Sequence, residues 1–182
     1  MKRTILILAA IAIVLGVVVL VAPIGVYRFF NPPNRAEVIQ RVFKDDEVFG
    51  VMTNSPQVTA QRLHVKSDGD QTLLNGYTRG TPVPLTAEQA QNLKSLLQSP
   101  RSYLWGVGSC LPNYGVVYNF QSGTNTVHVA FCFKCNIVGV FDGDNDSSNS
   151  VNFTSQFDPM RGQMIALSKT LFPNDKEIQV LH

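Results

Sequence analysis

Residues 114–142 read YGVVYNFQSGTNTVHVAFCFKCNIVGVFD, and this stretch decides the fold. Apolar residues recur there at every second position, as in Val127, Val129 and Phe131. A period of two is typical of a β-strand, because alternate side chains point to opposite faces of a sheet. The Ser-Gly-Thr-Asn sequence between the first two apolar runs is typical of a hairpin loop. The stretch therefore predicts two antiparallel strands joined by a hairpin, with a third strand over residues 137–141.

One helix is predicted before these strands and a second helix after them. Thr86 and Gln89 fit a capping box, in which each side chain binds the other residue's backbone N–H, and Pro100 ends this helix. Asp158-Pro159 begins the second helix, because proline is favoured at the first helical position. The apolar stripes of the two helices are Ala90, Leu93, Leu96 and Leu97 in the first and Met160, Met164, Ile165, Leu167, Leu171 and Phe172 in the second.

The chain before the first of these helices is less regular. Residues 36–43 have apolar side chains at helical spacing and predict a short amphipathic helix. Residues 57–66 are rich in strand formers, and residues 73–85 read as extended chain broken by glycine and proline. The order of strands, helix, strands and helix predicts an α+β domain with an antiparallel sheet packed against helices.

The N-terminal part has a different character, because residues 4–27 carry no charge and are almost entirely apolar. As a helix with a rise of about 1.5 Å per residue, this run would cross a hydrocarbon core of about 30 Å. Lys2 and Arg3 precede it and favour a cytoplasmic N-terminus, Arg28 and Arg35 oppose this, and the very short N-terminal tail favours translocation of the domain. We therefore predict a signal-anchor transmembrane helix over residues 1–30 and a Pro-rich spacer over residues 31–34. Residues 35–182 are predicted to form one domain outside the cytoplasmic membrane, periplasmic or extracellular.

A cleavable signal peptide is the alternative to an anchor. Such a peptide has an apolar core of about 7 to 15 residues and ends at a small-x-small cleavage site. The uncharged run is longer than this, and Ala22 and Gly25 do not form such a site. The first cysteine, Cys110, lies too far from the run for a lipoprotein anchor. The sequence therefore favours an uncleaved, single-pass protein.

The net charge of the domain limits the classes of partner that it is expected to bind. Three of the 15 basic residues flank the apolar run, so 12 basic and 13 acidic residues remain in the domain, a formal charge of −1. Nucleic-acid-binding domains usually carry a basic patch or stripe, so no nucleic-acid partner is predicted. The membrane is the expected partner of the N-terminal helix, and a protein or small-molecule partner of the domain is left open.

The three cysteines are Cys110, Cys132 and Cys135, and the last two form a C-x-x-C. On a straight strand Cys132 and Cys135 would point to opposite faces of the sheet. A turn or bulge over residues 132–136 would bring the sulfur atoms together. Asn136 suits such a turn, because asparagine tolerates the left-handed backbone conformation. The pattern therefore predicts a tight connection between the second and third strands.

Four interpretations of the cysteines remain open. The first is a structural disulfide between Cys110 and one of the other two, with one thiol left over, and an oxidising compartment favours it. The second is buried thiols that pack as small apolar groups. The third is a structural zinc site formed by the three cysteines with His128 or His64, although a second C-x-x-C is missing. The fourth is thiol redox chemistry, although the helix N-terminus that usually activates a C-x-x-C is absent.

Other motifs that could carry chemistry fail on spacing. Asp142, Asp144 and Asp146 match positions 1, 3 and 5 of an EF-hand calcium loop, but Ser147 and Phe153 replace the required glycine and glutamate. A solvated acidic loop is the simpler interpretation. The Gly-Val-Gly-Ser-Cys sequence has the spacing of neither a nucleophile elbow nor a dinucleotide-binding loop. No catalytic residue is therefore predicted.

The second half of the domain contains, in order, GSCLPNYGVVYNF, a strand, CFKC, a further strand and LFPNDKEI. In this order it resembles a set of uncharacterised bacterial proteins that have a single N-terminal anchor followed by one small domain. The resemblance implies the same organisation for this chain. It implies no activity and no functional residues.

Together these features predict a membrane-anchored, extracytoplasmic binding or structural domain rather than an enzyme, without a cofactor. The alternative is a membrane-tethered thiol-redox or metal-binding protein that uses Cys110, Cys132 and Cys135. The positions of the three sulfur atoms bear directly on this choice.

Overall fold

The computed structural model describes residues 34–70, 73–105, 110–143 and 155–182. Residues Asn34–His182 form one compact unit. The signal-anchor helix predicted over residues 1–30 lies outside the described residues. Within the described part of the chain, no helix is both long enough and apolar enough to cross a membrane.

The α-helices are numbered in chain order. They are α1 (Arg35–Val38), α2 (Asp46–Asn54), α3 (Ala87–Gln98), α4 (Arg161–Leu171) and α5 (Lys176–Gln179). A π-helical turn, Ile39–Phe43, continues α1. Short 3₁₀ turns cover Leu74–Gly76, Pro100–Ser102 and Asp158–Met160.

In the part of the chain that the structure describes, eight strands form one sheet, and the strand pairs are antiparallel. They are β1 (Gln57–Val65), β2 (Tyr77–Arg79), β3 (Val83–Pro84), β4 (Leu104–Trp105), β5 (Val116–Ser122), β6 (Asn125–Cys132), β7 (Ile137–Asp142) and β8 (Ser155–Gln156). The order across the sheet is β2-β1-β5-β6-β7-β8-β4, and β3 also pairs with β1. The domain is α+β, with helices packed on an antiparallel sheet, as the sequence predicts.

The predicted hairpin joins β5 to β6. Its strands pair from Val116 with Phe131 to Ser122 with Asn125. Gly123 has φ of +60°, a left-handed conformation that glycine adopts without steric cost. The hairpin and the third strand, β7, are therefore confirmed.

The larger hydrophobic core lies between the sheet and the helices. Phe131 is fully buried there, and its ring packs edge-on against Tyr118 at 5.7 Å and against Phe157 at 4.9 Å between centroids. Side chains of α2, α3 and α4 cover these rings, among them Phe49, Met52, Leu93, Leu97 and Met164. Burying each large apolar side chain contributes about 1.5 to 3 kcal/mol, so this layer holds the helices on the sheet.

A second, smaller core covers the opposite face of the central strands. Its members are Leu63, Leu74, Tyr77, Tyr114, Val117, Ala130, Cys132, Ile137 and Phe141. A Cβ atom on Gly139 would lie 2.4 Å from the Tyr114 hydroxyl, so β7 needs a glycine beneath this ring. Because both faces of β6 are covered, the face predicted to hold His128, Ala130 and Cys132 is buried as well.

The starts of α3 and α4 can be compared with the capping box and the proline that predict them. The capping box is present, because Gln89 N–H donates to Thr86 Oγ1 at 3.2 Å and Thr86 N–H donates to Gln89 Oε1 at 2.9 Å. The helix predicted from Asp158 begins instead as a 3₁₀ turn, and α4 starts only at Arg161. Proline supplies no N–H for an intrahelical bond, so a tighter turn can precede the regular helix.

Candidate functional site

The connection between β6 and β7 is a tight turn over residues 133–136. Cys132 ends β6 and pairs with Ile137, which begins β7. Asn136 has φ of 54°, so it adopts the left-handed conformation that its sequence position predicts. The C-x-x-C therefore lies across a strand-to-strand turn and not on an unbroken strand.

Side chains outside the turn fix its conformation. Arg161 Nε donates to Asn136 Oδ1 at 2.8 Å, and Arg161 Nη2 donates to the Phe133 carbonyl at 3.2 Å. Asn136 Nδ2 donates to Asp158 Oδ1 at 2.7 Å. The backbone carbonyl of Asn136 accepts the Phe157 N–H at 2.8 Å. The start of α4 thus holds the turn from one side.

A disulfide holds the turn from the other side. The structure pairs Cys110 with Cys135, and their Cα atoms are 5.9 Å apart, within the range typical of disulfides. The Leu111 carbonyl oxygen lies 3.6 Å from Cys110 Sγ and 3.5 Å from Cys135 Sγ. These are close contacts only, because a disulfide sulfur carries no proton. The bond ties the segment before β5 to the turn between β6 and β7.

The third cysteine, Cys132, has a free thiol and is fully buried. It belongs to the smaller core, against which Cys135 also packs. Its sulfur accepts the Asn113 backbone N–H at 3.2 Å. All three sulfur atoms therefore contact the short stretch of residues 110–113.

His128, a candidate metal ligand, contacts a polar side chain of the neighbouring strand. His128 is buried on β6, and its Nδ1 lies 2.7 Å from Asn119 Oδ1 on β5. The Asn119 amide also donates to Thr59 Oγ1 at 3.2 Å and to Gln61 Oε1 at 3.0 Å. Over residues 34–70, 73–105, 110–143 and 155–182, no group of three or more His, Cys, Asp or Glu side chains is arranged to hold a metal ion.

A groove of about 370 Å³ lies next to the disulfide-linked turn. Four parts of the chain form its walls: the end of β1, the segment before β5, the β6–β7 turn and the C-terminal residues. Its lining residues are Arg62, Leu63, His64, Val65, Asn113, Tyr114, Gly115, Phe133, Lys134, Glu177, Ile178 and Leu181. The Cys110–Cys135 bond connects two of the four walls.

Arg62 joins the other walls. Its Nε donates to Asp175 Oδ2 at 2.5 Å, and its Nη2 donates to Glu177 Oε2 at 2.9 Å. Its Nη1 donates to the Gly115 carbonyl. The Arg62 side chain is only 10% exposed, whereas that of Glu177 is 80% exposed. One buried guanidinium thus links β1 to the C-terminal helix and to the start of β5.

The electrostatics of this cluster favour the ionised form of Asp175. Partial burial alone would raise the pKa of Asp175, but the Ile178 N–H and the Arg62 guanidinium outweigh it and lower this pKa below its ordinary value. Tyr114 lines the groove, and its N–H donates at 3.1 Å to Oη of Tyr77, another member of the smaller core. Burial raises the pKa of both hydroxyls, so both tyrosines stay uncharged at neutral pH.

A second depression lies between α3 and α4. It measures about 630 Å³, and Leu93, Leu96, Ala166 and Leu167 give it a mainly apolar surface. The apolar stripes of these helices are visible in the sequence, but the space between the helices is not. Neither the groove nor this depression has a signal in the sequence, because each is assembled from separate segments.

Comparisons with known proteins give no further guide. No protein-family model, no curated protein and no solved structure matches this chain.

Proposed function

We propose that this chain is a membrane-anchored extracytoplasmic binding domain that takes an amphipathic ligand in the groove beside the Cys110–Cys135 disulfide. The observation that carries the proposal is the construction of the groove walls. The disulfide connects two of them, and the buried Arg62 connects the others. Walls fixed before binding lower the entropic cost of ordering a site around its ligand.

The lining of the groove supports an amphipathic ligand. Leu181 contributes a partly buried aliphatic side chain and Phe133 the 6% of its surface that is exposed, whereas Tyr114 is fully buried in the wall of the groove. Lys134 and Glu177 are exposed at the rim and carry opposite charges. Ligand sites commonly combine an apolar lining with a few polar groups that orient the ligand.

The location outside the cytoplasm rests on two features. The uncharged run over residues 4–27 has the length of a membrane anchor. Stable disulfides such as Cys110–Cys135 are usual in oxidising compartments and rare in the cytosol. The run supports attachment to the membrane, and the disulfide supports a position of the domain on its outer side.

Dye binding tests the groove. The chain truncated before Asn34 keeps every member of both cores and is titrated with anilinonaphthalene sulfonate, which combines an apolar ring system with one anionic group. We expect saturable binding that Leu181→Glu abolishes. Lys134→Glu should weaken it, because the anionic group loses a cation at the rim.

Leu96→Glu is the matched control, because Leu96 is a partly buried leucine that lines the depression between α3 and α4. This variant should bind the dye as the unchanged protein does. Loss of binding in Leu96→Glu with retention in Leu181→Glu would place the dye site between the helices and refute the proposal. Non-saturable binding would refute it as well.

A further inference from the structure

We propose that the buried thiol of Cys132 exchanges with the Cys110–Cys135 disulfide, forming a Cys132–Cys135 disulfide across the β6–β7 turn and releasing Cys110 as an exposed thiol. This inference rests on the arrangement of the three sulfur atoms. It does not depend on a ligand in the groove.

The end of β6 and the β6–β7 turn carry two of the three cysteines. Cys132 ends β6, and Cys135 is the third residue of the path through the turn. Only two turn residues, Phe133 and Lys134, separate the two cysteines along the chain. Cys135 also packs against the buried cluster that contains Cys132. The attacking residue and the central residue of the exchange therefore contact the same buried cluster.

The segment that carries Cys110 contacts the sulfur atoms of the other two cysteines. Leu111 contacts both sulfur atoms of the disulfide, and two residues further the Asn113 N–H donates to Cys132 Sγ. This donor can stabilise negative charge that develops on Cys132 Sγ during exchange. One stretch of four residues thus touches the attacking, central and leaving sulfur atoms.

The proposed step is balanced and needs no external oxidant. Cys132 loses its proton to water, and its thiolate forms a bond to Cys135 Sγ. The Cys110–Cys135 bond breaks, and its electron pair leaves on Cys110 Sγ, which then takes up a proton. One disulfide and one thiol are present before and after the step, as thiol–disulfide exchange requires.

Exchange changes what the surface presents. In the structure the free thiol is fully buried, and Cys110 is exposed but bonded. After exchange, the thiol lies at Cys110, next to Leu111, whose surface is 60% exposed. The chain would then offer a reactive thiol beside an apolar contact, which suits attack on the disulfide of a partner protein.

The test locates the thiol in the folded, full-length protein. The chain is purified in detergent without reductant and incubated under native conditions with a bulky maleimide, which traps exposed thiols. Peptide mapping then assigns the modified cysteine and the remaining disulfide. We expect the adduct on Cys110 together with a Cys132–Cys135 disulfide. An adduct on Cys132, an adduct on Cys135, or no adduct would overturn the proposal.

Two variants complete the test. Cys132→Ser removes the attacking sulfur, so labelling of Cys110 should disappear. Cys110→Ser leaves only the C-x-x-C, and oxidised glutathione should then convert it to an internal disulfide with no free thiol. Recovery of two free thiols, or of glutathione adducts alone, would show that Cys132 and Cys135 do not pair.

Discussion

Removal of the Cys110–Cys135 disulfide should destabilise the domain by about 3.5 kcal/mol. The bond closes a loop with a sequence separation of 25 residues. For a loop of this length, the chain-entropy model gives a loss of about 11 to 12 cal/mol/K in the unfolded state, which is about 3.5 kcal/mol at 25 °C. Cys110 is exposed, so its free thiol adds little burial cost of its own.

Urea unfolding with and without reductant measures this loss. With a urea dependence of about 1 to 3 kcal/mol/M, the midpoint should fall by about 1.2 to 3.5 M on reduction. The Cys110→Ser/Cys135→Ser double variant should unfold at the reduced midpoint and ignore reductant, because only Cys132 remains. A change below about 1 kcal/mol on reduction, or a double variant that still responds to reductant, would refute the loop-closure argument.

Three further predictions concern the core, the buried ion pair and the topology. Phe131→Ala should cost about 3 to 5 kcal/mol in urea unfolding because it empties a fully buried ring site, whereas Lys134→Ala at the exposed turn should be nearly silent. Because the pKa of Asp175 is lowered in the folded state, its carboxylate should stabilise the domain above about pH 4 and lose this effect as pH falls further. Acid titration of Arg62→Met, which removes the guanidinium, should show a smaller loss over that range. If residues 4–27 form an anchor, the full chain should resist alkaline extraction from membranes, and protease added to spheroplasts should digest the domain; protection there would contradict the proposed orientation.

The parts of the fold that sequence analysis predicts depend on interactions between close neighbours in the chain. The capping box of Thr86 with Gln89 needs only a few residues, and it is present with both hydrogen bonds. The left-handed conformation of Asn136 is likewise predicted locally, because a turn over residues 132–136 suits a residue that tolerates this conformation. The alternation along β5 and β6 predicts the hairpin because side-chain direction is set by strand geometry alone.

Other parts depend on contacts between distant residues and have no local signal. Arg62 and Asp175 are 113 residues apart, and only the folded chain brings them together. The sequence leaves open whether Cys132 or Cys135 bonds to Cys110, because neither the strand alternation nor the C-x-x-C spacing distinguishes the two.

Helix α2 is missed for a different reason, although it has a recognisable start, where Asp45 accepts the Val48 N–H at 2.8 Å. Gly50, within this helix, weakens the helical pattern and explains why it is missed.

The segment that links the cysteines to the groove is held at its two ends by different interactions. At one end, Cys110 is held by the disulfide. At the other end, the Tyr114 N–H donates to Tyr77 Oη, and the Gly115 carbonyl accepts from Arg62 and from the Leu63 N–H. Loss of the bond at Cys110 leaves these hydrogen bonds in place. The proposed exchange would therefore free the Cys110 end of this segment, while Tyr114 and Gly115, which line the groove, stay anchored to the sheet.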